Sequence, residues 1–345
     1  MEYTLSTLDG ITSEMWDGYV DNHSNATIYH HSCWREVIGR AFGHKADYLV
    51  ALDENRQVVG LLPTVEVKSR LFGHYMVSMP FFTGGGALSD NSQVDNLLMK
   101  SAVGLARQRK VSHVEFRESV ERDAQWPVRS DKVTMLLALP PTVDELSRQI
   151  GSKARSQIRR PDREGVSVKH GNLDLIDDFY TVFSRNMRDL GTPVYASSFF
   201  KIIAETLKER VKIVVVYLKN RPVAAGYLLS YKGRVEIPWA SSLREYNRVG
   251  VNMRLYWEVL KYSIECGYKT FDFGRSSKGE GTYRFKAQWG AQPQPCYWHY
   301  WLNDGVDLPQ LNPANPKYEL AINIWRRLPL AVANMIGPFV IKNLP

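Results

Sequence analysis

The stretch Phe271 to Gly290, FDFGRSSKGEGTYRFKAQWG, joins an alternating apolar segment to four glycines and then to a cationic, aromatic run. Phe271 and Phe273 flank Asp272 with the two-residue period of a strand, while Gly274, Gly279, Gly281 and Gly290 permit turns and close backbone approach to a ligand. Arg275, Lys278, Arg284 and Lys286 add positive charge. Backbone amides and Lys or Arg heads at the end of a strand can converge on a phosphate-bearing ligand. A solvated hairpin over a packed Trp289 is the competing reading.

A second cationic tract lies at Ser152 to Arg163, where Lys153, Arg155, Arg159, Arg160 and Arg163 crowd around Ile158. Helical spacing puts Arg155 and Arg159 on one face, where like charges repel by a few tenths of a kcal/mol, roughly, unless an anion sits between them. That cost is tolerable without function, so both readings stand. Pro161 interrupts the helix and leaves the direction of Arg163 open. Asn186, Arg188, Thr192, Tyr195, Trp239 and Tyr283 are candidates for an acceptor groove, the aromatic rings offering flat apolar surfaces or simply filling the core. Gly84 to Gly86 resemble a phosphate cradle in type, but no Lys follows at P-loop spacing. The DFG triplet is not that of a kinase, because no HRD catalytic loop accompanies it.

These residues need elements to hold them, and one order of elements occurs twice. Tyr48 to Leu52, a turn at Asp53 to Arg56, Val58 to Val67, His74 to Phe82, a helix over Ser92 to Gln108 and a strand over Ser112 to Phe116 make the first copy. Lys212 to Leu218, a turn at Asn220, Val223 to Tyr231, Arg234 to Ala240, a helix over Val251 to Cys266 and Lys269 to Phe273 make the second. Helices over Leu175 to Asp189 and Ser197 to Arg210 precede the second copy. The expected class is α+β with mixed sheets, with a boundary near Pro140 and Pro141 and Thr142 capping a helix over Val143 to Ile150. Three regions follow: 1–140, 141–310 and a tail over 311–345.

Length and composition allow two domains with real cores: 345 residues, 44% apolar. Charge is regional, with a net −4 over residues 1–150 and +12 over 151–345. Such an excess favours phosphates on a nucleotide, a tRNA end, a lipid-linked sugar or a membrane surface. Cys33, Cys266 and Cys296 lack zinc-site spacing, so reduced thiols and no metal are expected. The acidic amino-terminal stretch is unlike a secretion signal, and no run of about 20 apolar residues is present, which points to the cytoplasm. The tail from Tyr318 to Leu344 is amphipathic and too short to span a bilayer; peripheral membrane contact, a helix closing over the second unit and an oligomer contact are the alternatives.

The DFGRS block, FK at Phe285 and Lys286 with WG at Trp289 and Gly290, the KARSQIRR tract, GTP at Gly191 to Pro193, and WRRLP and IGPF in the tail resemble the FemAB family. More narrowly they are similar to FemAB-like proteins of the PEP-CTERM and exosortase system. The resemblance implies two tandem GNAT-type acyltransferase domains and a transferase moving an activated acyl group to an amine in exopolysaccharide or envelope synthesis. Acyl-CoA or aminoacyl-tRNA would be the co-substrate, with no permanently bound cofactor. The acceptor would be a polysaccharide or envelope precursor, and DNA is not an expected partner. The turn YNRVGVN at Tyr246 to Asn252 corresponds to the GNAT pyrophosphate site, giving Arg248, Gly250 and Asn252 as donor ligands, with Arg155, Arg159, Arg275 and Phe285 beside them. It departs from the usual RxxGxG spacing. By the same resemblance Lys286 would stabilise oxyanion charge, the alternative being a lysine that snorkels beside Trp289. Asp272, read from its place at a strand end, would hold a positive partner such as Arg275, accept the amine proton, or serve only as a structural hydrogen-bond acceptor. A duplicated scaffold that only binds its ligand, and plain N-acetylation by coenzyme A, are the other classes.

Overall fold

The computed structural model describes residues 2–70, 72–122, 126–309 and 316–344. In chain order the first elements are β1 (Thr4–Thr7), α1 (Ser13–Asn22), α2 (Cys33–Phe42), β2 (Lys45–Leu52), β3 (Val58–Ser69), β4 (Gly73–Val77), α3 (Ser92–Gln108), β5 (His113–Glu118) and β6 (Val128–Arg129). Then come β7 (Lys132–Ala138), α4 (Val143–Gln149), α5 (Ser152–Arg159), β8 (Val166–Gly171), α6 (Ile176–Leu190), α7 (Ser197–Leu207), β9 (Val211–Leu218), β10 (Arg221–Tyr231) and β11 (Arg234–Ser242). The last are α8 (Val251–Glu265), β12 (Thr270–Ser277), α9 (Gly281–Ala287), β13 (Gln292–Pro295), β14 (Tyr297–Leu302), α10 (Pro316–Arg327) and α11 (Leu330–Ile341).

Two compact units result, one of Met1–Lys132 with Pro295–Gln310 and Lys342–Pro345, the other of Val133–Gln294 with Leu311–Ile341. The first holds a sheet of order β1-β2-β3-β4-β5-β14-β6, the second one of order β13-β7-β12-β11-β10-β9-β8. Both are mixed. β4 and β5 run parallel, as do β11 and β12, while the other registered neighbours are antiparallel. A parallel pair needs a crossover, which α3 and α8 supply. The α+β class and the duplication read from the sequence therefore describe the molecule.

Local sequence explains these elements. The β2–β3 hairpin is closed by Asp53, whose Oδ1 accepts the amides of Asn55 at 2.9 Å and Gln57 at 2.8 Å. In α3, Val94, Leu98 and Ala102 recur every four residues and bury against Leu49, Leu62, Val114 and Phe116. In α8, Val251, Leu255 and Val259 do the same against Val214, Val216 and Phe271. Thr142 caps α4 as expected, accepting the Glu145 amide at 3.2 Å.

Some expectations shift. The strand expected over His74 to Phe82 ends at Val77, because Pro80 cannot donate to a ladder and Phe81 takes a left-handed φ of 73°. The expected break at Pro140 lies inside the second unit, since β7 pairs in that unit's sheet. The region 141–310 is likewise divided, because β14 joins the first unit's sheet and covers its core with Trp301. Residues 310–315, the last of the expected region 141–310 and the first five of the expected tail, lie outside the described residues.

Candidate functional site

In the second unit, β11 and β12 pair only at Arg234–Thr270, Val235–Phe271 and Glu236–Asp272. Beyond that point β11 leads through a 3₁₀ turn at Arg244–Tyr246 into α8. The first residue of α8 follows Gly250, whose φ of 91° is left-handed and which offers no side chain to cap the helix. The first amides of a helix have no intrahelical acceptor, so this end carries a partial positive charge. Glycine is required there twice over. A Cβ would be strained by φ and would stand 3.0 Å from the Gln157 carbonyl oxygen and 3.5 Å from Pro161 Cγ.

A cavity of about 600 Å³ opens at this helix start. Arg160, Arg248 and Arg284 line it with Asn247, Asn252 and Gln288, and no carboxylate lines it among the described residues. A further cavity of about 430 Å³ is lined wholly by Ser152, Arg155, Ser156, Arg159, Arg160 and Arg163. Arg160 belongs to both. Pro161 creates this layout: α5 stops at Arg159 and a 3₁₀ turn over Arg160–Glu164 redirects the chain. Arg254 fastens that turn to α8 by pairing with Asp162 and, at 3.0 Å, with Glu258.

The residues expected to bind the donor divide accordingly. Arg248, Gly250, Asn252 and Phe285 line the larger cavity, and Arg155 and Arg159 the smaller. Arg155 is partly committed, its Nη1 donating to the carbonyls of Ser147 at 3.1 Å and Ile150 at 2.6 Å. Arg275 is exposed and lines neither.

Lys286, expected at the reacting ester, is 7% exposed and lines neither cavity. Its Nζ donates to the carbonyls of Gly274 and Arg275, each at 2.9 Å. Burial pushes its pKa down to about 8, against the attraction of Asp272. Asp272 is also buried: Oδ1 accepts Thr134 Oγ1 at 2.6 Å and the Gly274 amide at 2.8 Å, and Oδ2 pairs with Arg234. Together Asp272 and Lys286 clamp the backbone at Gly274, which has a φ of 74°. Through these contacts Lys286 ties α9 to the last residues of β12.

Of the acceptor candidates, Trp239 sits in the core among Phe199, Phe200 and Tyr227, with edge-to-face centroids at 5.6, 5.1 and 5.5 Å. Tyr195 is half-buried beside it, 6.2 Å from the same ring. These rings fill the core rather than form a platform. Asn186 Nδ2 donates to Ser241 Oγ at 3.1 Å, next to Ser242 on the larger cavity. Tyr283 is half-buried against the core and does not line that cavity.

Gln157, Asn247 and Gln288, which the sequence did not single out, complete the site with Arg160 and Arg284 of the two cationic tracts. Gly281, Arg284, Phe285 and Gln288 are spaced as one face of a helix, a signal that was present in the sequence.

Residues 152–287, which include every lining residue of both cavities except Gln288, match the family described as "Acetyltransferase (GNAT) domain". That segment is similar to a GNAT acetyltransferase domain. A search of curated proteins gives no match. Among solved structures, FemX has a TM-score of 0.67 at 16% identity, covering 93% of this chain and 100% of its own. A tandem GNAT protein from the clavulanic acid biosynthesis pathway gives 0.55 at 11%, covering 90% and 100%. The C-terminal domain of a putative lysylphosphatidylglycerol synthetase from Agrobacterium fabrum gives 0.57 at 13%, covering 84% and 91%. At such identities the likeness concerns the fold, and the fold is a tandem GNAT fold. In GNAT terms the large cavity lies where the fourth strand turns into the crossover helix. Among the described residues no cluster of His, Cys, Asp or Glu suited to a metal is present, and no helix is long and apolar enough to cross a membrane.

Proposed function

We propose that the second unit is an acyltransferase that holds the phosphates of an activated acyl donor on the uncapped start of α8 and passes the acyl group to an amine. One observation carries this reading: an open helix N-terminus faces a cavity lined by three arginines and no carboxylate. Arg160, Arg248 and Arg284 offset the donor's charge. The amine nitrogen forms the new bond to the carbonyl carbon, its proton is lost, and the thiol or hydroxyl of the donor leaves. Proximity supplies most of the rate, and no nucleophilic triad is needed. Lys286 and Asp272 act by positioning the strand end from which the donor is approached.

The second arginine cavity, shared through Arg160, favours a donor whose phosphates extend past a single pyrophosphate. Both acyl-CoA and aminoacyl-tRNA meet that description, and the departure of Arg248-Val249-Gly250 from the usual donor turn favours the latter. An acceptor from exopolysaccharide or envelope synthesis rests on the sequence resemblance alone. Titration calorimetry with acetyl coenzyme A, beside filter binding with a charged tRNA, tests the reading. Saturable binding of either one, followed by acyl release to an added amine, supports a transferase. Binding of neither would reduce the protein to a scaffold without donor chemistry.

A further inference from the structure

The 3₁₀ turn over Arg160–Glu164 brings Arg160 and Arg163 to the arginine cavities, and between them in sequence it carries a carboxylate, Asp162. A carboxylate placed there could itself pair with the cavity arginines. The first unit shows that outcome: Glu118 accepts the Ala87 amide at 2.8 Å, pairs with Arg122 and closes the turn around Gly86. In the second unit Asp162 lines neither cavity. Something holds it elsewhere.

That group is Arg254. It sits one turn into α8, its amide donating to the Gly250 carbonyl at 3.1 Å, and it lines neither cavity. Its Nη1 pairs with Asp162 Oδ1, and its Nε stands 3.0 Å from Glu258 Oε1. Glu258 is buried and is met from β8 by His170, whose Nε2 lies 3.6 Å from Glu258 Oε2. α8 and β8 therefore hold the guanidinium from one side and leave its Nη1 to Asp162. The Asp162 side chain is 53% exposed, so this pair adds little to folding stability. What it decides is which cation the carboxylate meets. We propose that Arg254 is a positioning residue that withholds Asp162 from the arginine cavities and so keeps them open to phosphate. The proposal rests on the reading of those cavities as the donor's phosphate site. Without Arg254, Asp162 turns to Arg160 or Arg163 of its own short turn, and an incoming phosphate has to displace it. Affinity suffers and folding does not, because the carboxylate is paired in an exposed turn in either case.

Calorimetric titration of the full chain with inorganic pyrophosphate, at matched ionic strength, tests this. Arg254→Met should weaken binding about ten-fold, with a melting curve close to the parent's because Glu258 keeps His170. Arg254→Lys can still pair with Asp162 and should bind within about three-fold of the parent. The double variant R254M/D162N should recover most of the loss. Asp162→Asn alone should change affinity by less than about two-fold, since that carboxylate is already withheld in the parent. This non-additivity separates withholding from a general field of charge, under which Asp162→Asn alone would tighten binding as much as Arg254→Met weakens it. Additive effects, parent-like affinity in Arg254→Met, or equal weakness with and without Asp162→Asn each overturn the proposal and leave the phosphate site standing. A parent that binds no pyrophosphate overturns the site and the proposal together.

Discussion

The two units treat the same place in the GNAT fold in opposite ways. In the second, the turn from the fourth strand into the crossover helix is open, uncapped and lined by arginines around about 600 Å³. In the first, the corresponding turn around Gly84 to Ala87 encloses only about 70 Å³. The chain's own carboxylate fills it. Glu118 is buried and accepts the Ala87 amide and Arg122 Nε, each at 2.8 Å. Gly86 is pressed so closely that a Cβ would stand 2.3 Å from Glu118 Oε1. Arg122 in turn pairs with Asp95 and donates to the Ala87 carbonyl at 2.6 Å. The helix that follows is capped as well, Asn91 accepting the Gln93 amide at 2.8 Å. A duplicated scaffold can thus keep its strands and crossover while one copy satisfies internally the groups that the other leaves for a ligand.

The largest effect should come from breaking that internal filling. Arg122→Met leaves Glu118 and Asp95 buried without their cation and should cost about 3–5 kcal/mol in denaturant unfolding, with donor binding by the second unit unchanged. Burial already raises the Glu118 pKa. A carboxyl whose folded pKa is raised loses stability as pH increases, so acidification toward pH 5 should restore part of the loss.

Lys286 tests the matching clamp in the second unit. Its folded pKa, lowered to about 8 from 10.5, means that the unfolded chain binds more protons between those values. Stability attributable to Lys286 should therefore rise with pH above about 8. Relative to Lys286→Met, the parent should gain about 2 kcal/mol between roughly pH 8 and pH 9.5, read from paired denaturation curves. A flat difference would show the amine to be solvated, hence free to serve the reaction directly. The smallest effect should be Asn91→Ala, about 1 kcal/mol of stability through loss of the α3 cap and no change in donor affinity.

Local pattern carried most of the fold. The bounds of α3, expected over Ser92 to Gln108, follow from its four-residue apolar spacing, and the β9–β10 hairpin from its alternation around Asn220. What local pattern could not give is the placement of β14, which pairs with β5 across a sequence separation that no periodicity records. The site was half legible. Arg248, Gly250 and Asn252 were found through the resemblance of one turn, but α9 was hidden because Gly279 and Gly281 read as loop residues. Only Gly279 has a left-handed φ, of 80°, whereas Gly281 opens the helix that carries Arg284 and Phe285 to the cavity. Lys286 was singled out through the FK resemblance, and neither that pair nor its charge tells a lysine aimed at a ligand from one tied to two backbone carbonyls.

The central claim is that the arginines at the open α8 start hold an anionic donor. Donor titration of R248E/R284E against the parent, at matched salt, tests it most directly. The account predicts a loss of affinity of about 30-fold or more with an unchanged melting curve, since both side chains line the cavity. Equal donor affinity in the two proteins would contradict it.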